Sequence, residues 1–274
     1  MRKLIYCYRI ANVLSVDVAV GAVISALFFS RVYKVYVLPY GFAALGLSVW
    51  IIYSVDHLLD ARKLSKEAST DRHRFHQKFF APVAVAVGLA CVIDLIVISH
   101  IRRTVLIHGA VLALVSLAYL MSQHYLKSFK EISGALLYCA GVALPAISLL
   151  GYPLKLFQGL FLVEFGITAL CNLLLFSLFD FKNDLRDRRH SFATVMGPKR
   201  TGVFLGALFC VNVTLIIVGS IWTGQVLGSV IMFVMNLVLM TLFLLRRNLS
   251  SGVQYRYVGD AVFFIPLFIL LPNL

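Results

Sequence analysis

The stretch 171-CNLLLFSLFDFKNDLRDRRH-190 changes within one residue from an apolar run to a densely charged segment. The apolar half suits hydrocarbon or a dry protein core. The polar half carries Asp180, Asp184 and Asp187 among arginines and a lysine, three of only 12 acidic residues in the chain. Acidic groups close to a hydrocarbon layer are costly and tend to mark function. The stretch therefore predicts a membrane helix that ends in a functional polar segment.

Apolar runs of this kind recur along the whole chain, in which 61% of the 274 residues are hydrophobic and only 14% are charged. Each run is long enough to cross a hydrocarbon core of about 30 Å as a helix. A helix also satisfies its own backbone hydrogen bonds inside the membrane. We therefore predict an all-α integral membrane protein, a single transmembrane domain over 1–274 with nine helices in one bundle. The predicted spans are 12–30, 36–54, 79–99, 104–121, 132–150, 156–179, 203–222, 226–245 and 258–273.

The basic residues predict an orientation. If the N-terminus is cytoplasmic, 20 of the 25 Lys and Arg residues lie on the cytoplasmic side and 5 on the other. This distribution follows the positive-inside rule, so the aspartate segments are expected in the cytoplasm and the C-terminus on the opposite side. Because topology accounts for the net charge of +13, we expect membrane lipid and no nucleic acid as a partner. The five cysteines lack metal-ligand spacing and are interpreted as core residues.

A second acidic cluster follows the second predicted span, in 50-WIIYSVDHLLDARKLSKEASTDRHRFHQK-78. Asp56 and Asp60 are four residues apart, so they share one helix face, as do the first two aspartates of the opening stretch. The two clusters are 124 residues apart and each is followed by Asp and several basic residues. This predicts a weak duplication of a four-helix unit, with the ninth helix appended.

Two carboxylate pairs at one membrane face indicate a magnesium site. Mg²⁺ prefers oxygen ligands and keeps positions for water and phosphate oxygens, and nearby Arg or Lys can bind the same phosphate. The alternative is that both clusters are solvated helix ends that only determine topology. We predict that Mg²⁺ is bound by four carboxylates, with Asp187 as a fifth catalytic candidate. The four are Asp56, Asp60, Asp180 and Asp184.

At these positions the sequence resembles the UbiA superfamily of intramembrane prenyltransferases, which are nine-helix bundles with aspartate-rich motifs after helices 2 and 6. "DHLLD" (56–60) and "TDRHR" (70–74) stand where the first motif is found, with Asp56 in place of the usual Asn and Leu64 where a further Asp often stands. "DFKND", with Thr194 and Gly197 downstream, resembles the second motif, and "YLKSFKEISG" (125–134) resembles a Tyr/Lys element after helix 4.

The resemblance implies that an isoprenyl diphosphate binds with Mg²⁺ and is ionised, and that an aromatic or otherwise lipid-soluble acceptor captures the allylic cation. Pre-placed positive charge would stabilise the leaving diphosphate, and an apolar bundle would exclude water from the cation. The predicted diphosphate-binding residues are Arg72, Arg74, Lys127, Lys130, Arg188 and Asn12.

Two other functions remain open. A terpene cyclase of the same architecture would use the same site and let the tail quench its own cation, and the departures at Asp56 and Leu64 keep this alternative. A transporter or non-catalytic membrane protein is the other, although transporter sites tend to lie at the bilayer midplane. Among the remaining acids, we interpret Asp94 and Glu164 as helix ends on the far side, and Asp260 as a polar group of the cavity. Asp17 is either a helix-packing or a catalytic residue.

Overall fold

The computed structural model describes residues 2–63, 68–246 and 254–270, and these residues form helices joined by short turns. Two segments are 3₁₀ helices, Lys127–Phe129 and Val262–Leu270. The α-helices are α1 Arg2–Val13, α2 Val16–Val32, α3 Pro39–Lys63, α4 Asp71–Lys78, α5 Phe80–Ile98, α6 Arg103–Leu126, α7 Lys130–Ile147, α8 Leu156–Phe179, α9 Phe181–Arg186, α10 Phe192–Met196, α11 Pro198–Thr223, α12 Val226–Leu244 and α13 Gln254–Ala261.

Seven helices of the described chain are long and apolar enough to cross a membrane, and the bent pair of α1 and α2 raises the number to as many as eight. The predicted all-helical, multi-pass membrane protein is thus confirmed. The count of nine is not confirmed. The predicted span 258–273 falls on the end of α13 and the 3₁₀ helix Val262–Leu270, and its last residues lie outside the described ones. The nine-helix count and the duplication of a four-helix unit stay predictions.

The first predicted span begins later than expected because the chain bends by 84° between α1 and α2. Ser15 adopts the left-handed conformation, with φ 56°, which costs a non-glycine residue roughly 1–2 kcal/mol. Tertiary contacts hold the bend. The Trp50 indole N–H donates to the Leu14 carbonyl oxygen at 2.9 Å, and the Ser15 hydroxyl lies 3.1 Å from Nε2 of His57. The first long helix therefore starts at Val16.

The core of the bundle lies where α2, α7 and α8 meet. Phe28, Phe29 and Phe165 are completely buried there, and their rings meet edge to face at 5.3 to 5.6 Å. Small residues let the helices approach closely. A Cβ atom on Gly228 of α12, for example, would lie 2.8 Å from the Phe161 ring of α8. Inside a membrane, such close packing rather than water exclusion drives helix association.

Glu164, interpreted from the sequence as a helix end, is 2% exposed inside this core. It lies on α8 against Gly219 of α11, whose Cβ, if present, would be 3.1 Å from the Glu164 Oε1 atom. The interpretation as a far-side end is corrected: α8 begins eight residues earlier, so Glu164 is two turns inside the bundle.

The two segments that carry the acidic clusters meet at one end of the bundle. The Ser69 backbone N–H and hydroxyl donate to the Asp187 carboxylate at 3.1 and 2.6 Å, and Arg189 forms an ion pair with Asp60. The turn between α7 and α8 lies at the other end. Both clusters therefore belong to one face of the protein, and the cytoplasmic assignment of that face stays a prediction.

That assignment can be tested by labelling introduced cysteines with an impermeant thiol reagent, in a background without the five native cysteines. Lys78, Lys182 and Gly151 are exposed. We expect Lys78→Cys and Lys182→Cys to react only after the membrane is opened, and Gly151→Cys to react in intact cells, because positive loops stay cytoplasmic. Labelling of Lys78→Cys and Lys182→Cys from opposite sides would contradict the fold as well as the orientation.

Candidate functional site

A cavity of about 510 Å³ lies between α3, α5, α6, α7 and α8. Most of its wall is apolar, with side chains such as Ile52, Leu112, Leu137 and Leu173. Polar groups concentrate where α3 and α8 end. The charged lining residues at this polar end include Asp56, Arg72, Lys130, Asp180, Asp184, Arg189, Arg256 and Asp260. The arrangement offers a charged head region and an apolar chamber to one ligand.

Asp180 is held by two residues of α13. It terminates α8 as the C-cap residue, is 5% exposed, accepts a hydrogen bond from the Tyr255 hydroxyl at 2.5 Å and forms an ion pair with Arg256. Burial disfavours the charged guanidinium, but the Asp180 carboxylate outweighs this and raises the pKa of Arg256. Sequence reasoning missed Arg256, since a single arginine in 254-QYRYVGDA-261 carries no motif.

Asp60 is held by Arg189 and is 9% exposed. His73 completes the group, with Nε2 3.8 Å from the Asp60 carboxylate and 2.7 Å from the Arg189 guanidinium. Burial lowers the pKa of His73, so its neutral ring can accept the hydrogen bond from Arg189. Arg188, and not Arg189, is among the residues predicted from the sequence to bind the diphosphate. Arg188 is exposed and left-handed, with φ 53°, and the turn directs the next arginine inward.

The other predicted carboxylates have different surroundings. Asp56 accepts a hydrogen bond from the Gln123 amide at 2.6 Å, a neutral partner. Asp184 lines the cavity, and burial raises its pKa to about 6. Asp187 is not among the residues that line the cavity and instead binds Ser69. Asp56, Asp180 and Asp184 therefore line the cavity wall. Asp187 instead connects the loop after α9 with the segment before α4 through its hydrogen bonds with Ser69.

The six predicted diphosphate-binding residues divide in the same way. Arg72 and Lys130 line the cavity. Arg74 instead pairs with Asp71 on the surface, where it is 42% exposed. The other three do not line the cavity. Lys127 and Arg188 are exposed, and Asn12 is hydrogen-bonded within the protein.

Arg72 belongs to a buried polar network beside the cavity. It donates to the Asn12 carbonyl oxygen at 2.8 Å and lies 3.5 Å from the Asp260 carboxylate. The Asn12 amide donates to Asp17 at 2.5 Å and to Asp260 at 2.8 Å. Arg72 therefore connects α4 with α1 and α13, and Asn12 extends the network to Asp17 of α2. Asp260 is a polar group of the cavity, as the sequence indicated.

The donor set suits a hard cation that arrives with phosphate. Within the described residues, no three or more His, Cys, Asp or Glu side chains form a group that could hold a metal ion alone. Mg²⁺ usually binds through one or two carboxylates and completes its shell with water and substrate phosphate oxygens. Asp56, Asp180 and Asp184, which line the cavity, provide such oxygen ligands.

Fold and site together define a multi-pass helical membrane protein with a charged site at one end of an apolar cavity. No family model and no curated protein sequence matches the chain. Solved structures do. A UbiA homologue from Aeropyrum pernix K1, in its apo form, matches with a TM-score of 0.65 and 15% sequence identity over 93% of this chain and 94% of that chain.

A UbiA homologue from Archaeoglobus fulgidus bound to DMAPP and Mg²⁺ matches with a TM-score of 0.61 and 11% identity over 95% of this chain and 99% of that chain. The same homologue bound to GPP and Mg²⁺ matches with a TM-score of 0.61 and 12% identity, over 95% and 98%. The chain has the fold of these UbiA homologues. The resemblance seen in the two aspartate motifs is thereby confirmed at the level of the fold.

The two arginines of "TDRHR" should differ in their effect on stability. Arg72→Gln leaves the buried Asp260 without its ion-pair partner, which typically costs about 3 kcal/mol in free energy of unfolding. Arg74→Gln breaks an exposed pair with Asp71, which contributes about 0.5 kcal/mol. Denaturant unfolding in detergent measures both values. Equal losses in the two variants would contradict the buried network.

Proposed function

We propose that the chain belongs to the UbiA superfamily and is a Mg²⁺-dependent prenyltransferase, which ionises an isoprenyl diphosphate and transfers the prenyl group to an aromatic or lipid-soluble acceptor. One observation carries the proposal: carboxylates, arginines and a lysine share the polar end of an otherwise apolar cavity of about 510 Å³. The fold shared with homologues that bind DMAPP or GPP together with Mg²⁺ supports the same conclusion.

The polar end would hold the diphosphate. Asp56, Asp60, Asp180 and Asp184 are the residues that would bind Mg²⁺, and the bound ion supplies positive charge that stabilises the leaving diphosphate. Arg189 and Arg256 now neutralise Asp60 and Asp180. Because an arginine binds carboxylate and phosphate with the same planar group, both arginines, which line the cavity, can bind phosphate oxygens there. Lys130, which also lines the cavity, adds a third positive charge.

The apolar chamber would hold the prenyl tail and the acceptor. When the carbon–oxygen bond breaks, its electron pair leaves with the diphosphate and an allylic cation remains. The wall of Ile52, Leu112, Leu137 and Leu173 carries no nucleophile and excludes water. The cation then forms its new bond to the acceptor, which loses a proton.

A terpene cyclase is the second candidate, favoured by Asp56 at the position where the superfamily usually carries Asn. Leu64, the other departure from the motif, lies outside the described residues. Such an enzyme would use the same polar end, and a double bond of the tail would capture the cation.

Product analysis separates these functions. Purified protein is incubated with Mg²⁺ and a panel of prenyl diphosphates, with and without aromatic acceptors, and diphosphate release and organic products are measured. Release that depends on an acceptor identifies a transferase, and release with a cyclic hydrocarbon identifies a cyclase. Absence of release across the panel would reject both and leave a transporter or non-catalytic protein.

Activity should require a divalent cation. The carboxylates at the polar end repel one another and a diphosphate, so substrate binding needs a bridging positive charge. We expect chelation by EDTA to abolish turnover and Mg²⁺ in excess to restore it. Diphosphate release that persists after rigorous chelation would exclude the proposed magnesium site.

The aspartates should also differ in importance. Asp56→Asn keeps a carbonyl oxygen for the Gln123 amide and removes a charge that forms no ion pair with an arginine among the described residues, so measurable turnover should remain. Asp60→Asn and Asp180→Asn remove carboxylates that pair with arginines. For these two variants we expect kcat/KM to fall by about 10²-fold or more, on the order of 3 kcal/mol.

Thermal unfolding of each variant provides the control for folding. If Asp56→Asn is folded but as inactive as Asp60→Asn, the assignment of the first motif is wrong. Wild-type turnover in all three variants would mean that the aspartates are solvated helix ends.

A further inference from the structure

The cavity has a second polar group at its opposite, apolar end. Asp94 of α5 and Ser48 of α3 both line the wall there, and the Ser48 hydroxyl donates to Asp94 Oδ2 at 2.8 Å. Asp94, interpreted from the sequence as a far-side helix end, lies four residues before the end of α5 and also lines the cavity wall. Ser48 precedes Asp56 by eight residues on α3, so the two residues are separated by about 12 Å along the helix axis.

The surroundings of this pair are apolar. Among the described lining residues, the neighbours on α3 are Gly41, Ala44 and Leu45, and those from α5 and the turn into α6 include Ile98 and Ile101. A carboxyl group in such a position within a spanning helix is costly. Among the described residues, Ser48 is the hydrogen-bond partner of this carboxyl group.

The second oxygen of the carboxyl group has no partner. Asp94 Oδ1 is shielded from solvent and makes no hydrogen bond within the described part of the chain. A buried acceptor without a partner costs about 1–3 kcal/mol. A hydrogen bond that only connects α3 with α5 needs one hydroxyl donor and one neutral acceptor. The carboxyl group of Asp94 provides a second oxygen that such a connection does not require.

We propose that Asp94 and Ser48 form a subsite for a hydroxyl group on an otherwise apolar ligand, with the Asp94 carboxyl group turning its shielded Oδ1 atom toward the cavity to accept a hydrogen bond from the ligand hydroxyl. The ligand class is an isoprenoid or similar chain that is hydroxylated at the end remote from the diphosphate. The proposal rests on the proposed function only in taking a chain-like apolar molecule as the ligand of the cavity.

Matched ligand pairs test the subsite. One pair is a non-hydrolysable prenyl thiolodiphosphate with and without a terminal hydroxyl group, measured with Mg²⁺. The other is a long-chain alcohol and the corresponding α,ω-diol, which need neither diphosphate nor metal. Dissociation constants are measured by calorimetry in detergent. A hydrogen bond to a carboxyl group of this kind should give the hydroxylated member of each pair about 10-fold tighter binding or more.

Three variants separate recognition from stability. Asp94→Leu, which removes both carboxyl oxygens, should abolish the preference for the hydroxylated ligands and retain binding of the others. Ser48→Ala should keep the preference, since the acceptor remains. Glu164→Gln is the matched control, because Glu164 is a buried acid of a spanning helix that does not line the cavity. It should change thermal stability without changing the preference.

The outcomes distinguish this proposal from the proposed function. Equal affinities within both pairs, or a preference that survives Asp94→Leu, would overturn the subsite. If neither thiolodiphosphate binds while the diol retains its Asp94-dependent preference, the subsite stands and the prenyltransferase function fails. If both thiolodiphosphates bind with equal affinity, the prenyltransferase function stands and the subsite fails. Failure of all four ligands to bind would overturn both.

Discussion

The compensation of carboxylate charge at the edge of an apolar bundle is the constraint on which the rest of the structure depends. Asp60 lies in the last turn of α3 and Asp180 caps the end of α8, and each is buried against an arginine, Arg189 and Arg256 respectively. An unpaired buried carboxylate would cost several kcal/mol. Because each arginine comes from a distant part of the sequence, this charge pairing fixes the loop after α9 and the helix α13 over the same end of the cavity.

The buried network around Arg72 is a further case in which an arginine compensates the charge of a buried carboxylate. Asn12 at the bend between α1 and α2, and Asp260 on α13, both bind to Arg72. The helices α1 and α13 thereby contact α4, which follows the first acidic cluster in the chain. In this arrangement, a residue that looks like a phosphate ligand in the sequence has a structural role, although it still lines the cavity. In the proposed function, phosphate binding and folding would therefore draw on one set of positive charges.

The cavity separates two kinds of chemistry along its length. At one end, positive charge and carboxylates suit a diphosphate with its metal, and the mostly apolar wall beyond it offers contacts to a carbon chain. At the other end, Asp94 and Ser48 restore polarity about 12 Å away along α3. A ligand is therefore selected by its head, by its length and by what it carries at its far end. In this proposal, recognition of the group at the far end is independent of the reaction at the diphosphate end.

The sequence by itself determined the class of protein, because span length, charge asymmetry and the Asp-x-x-x-Asp spacing are local properties that the apolar solvent and the helical period enforce. Only the tertiary structure decided which side chains reach the site. The choice of Arg189 over Arg188 follows from one left-handed turn. Arg256 faces Asp180 across 76 residues of sequence, and Asp94 lines the cavity because α3 packs against α5. These contacts join segments far apart in the chain, so no local pattern encodes them.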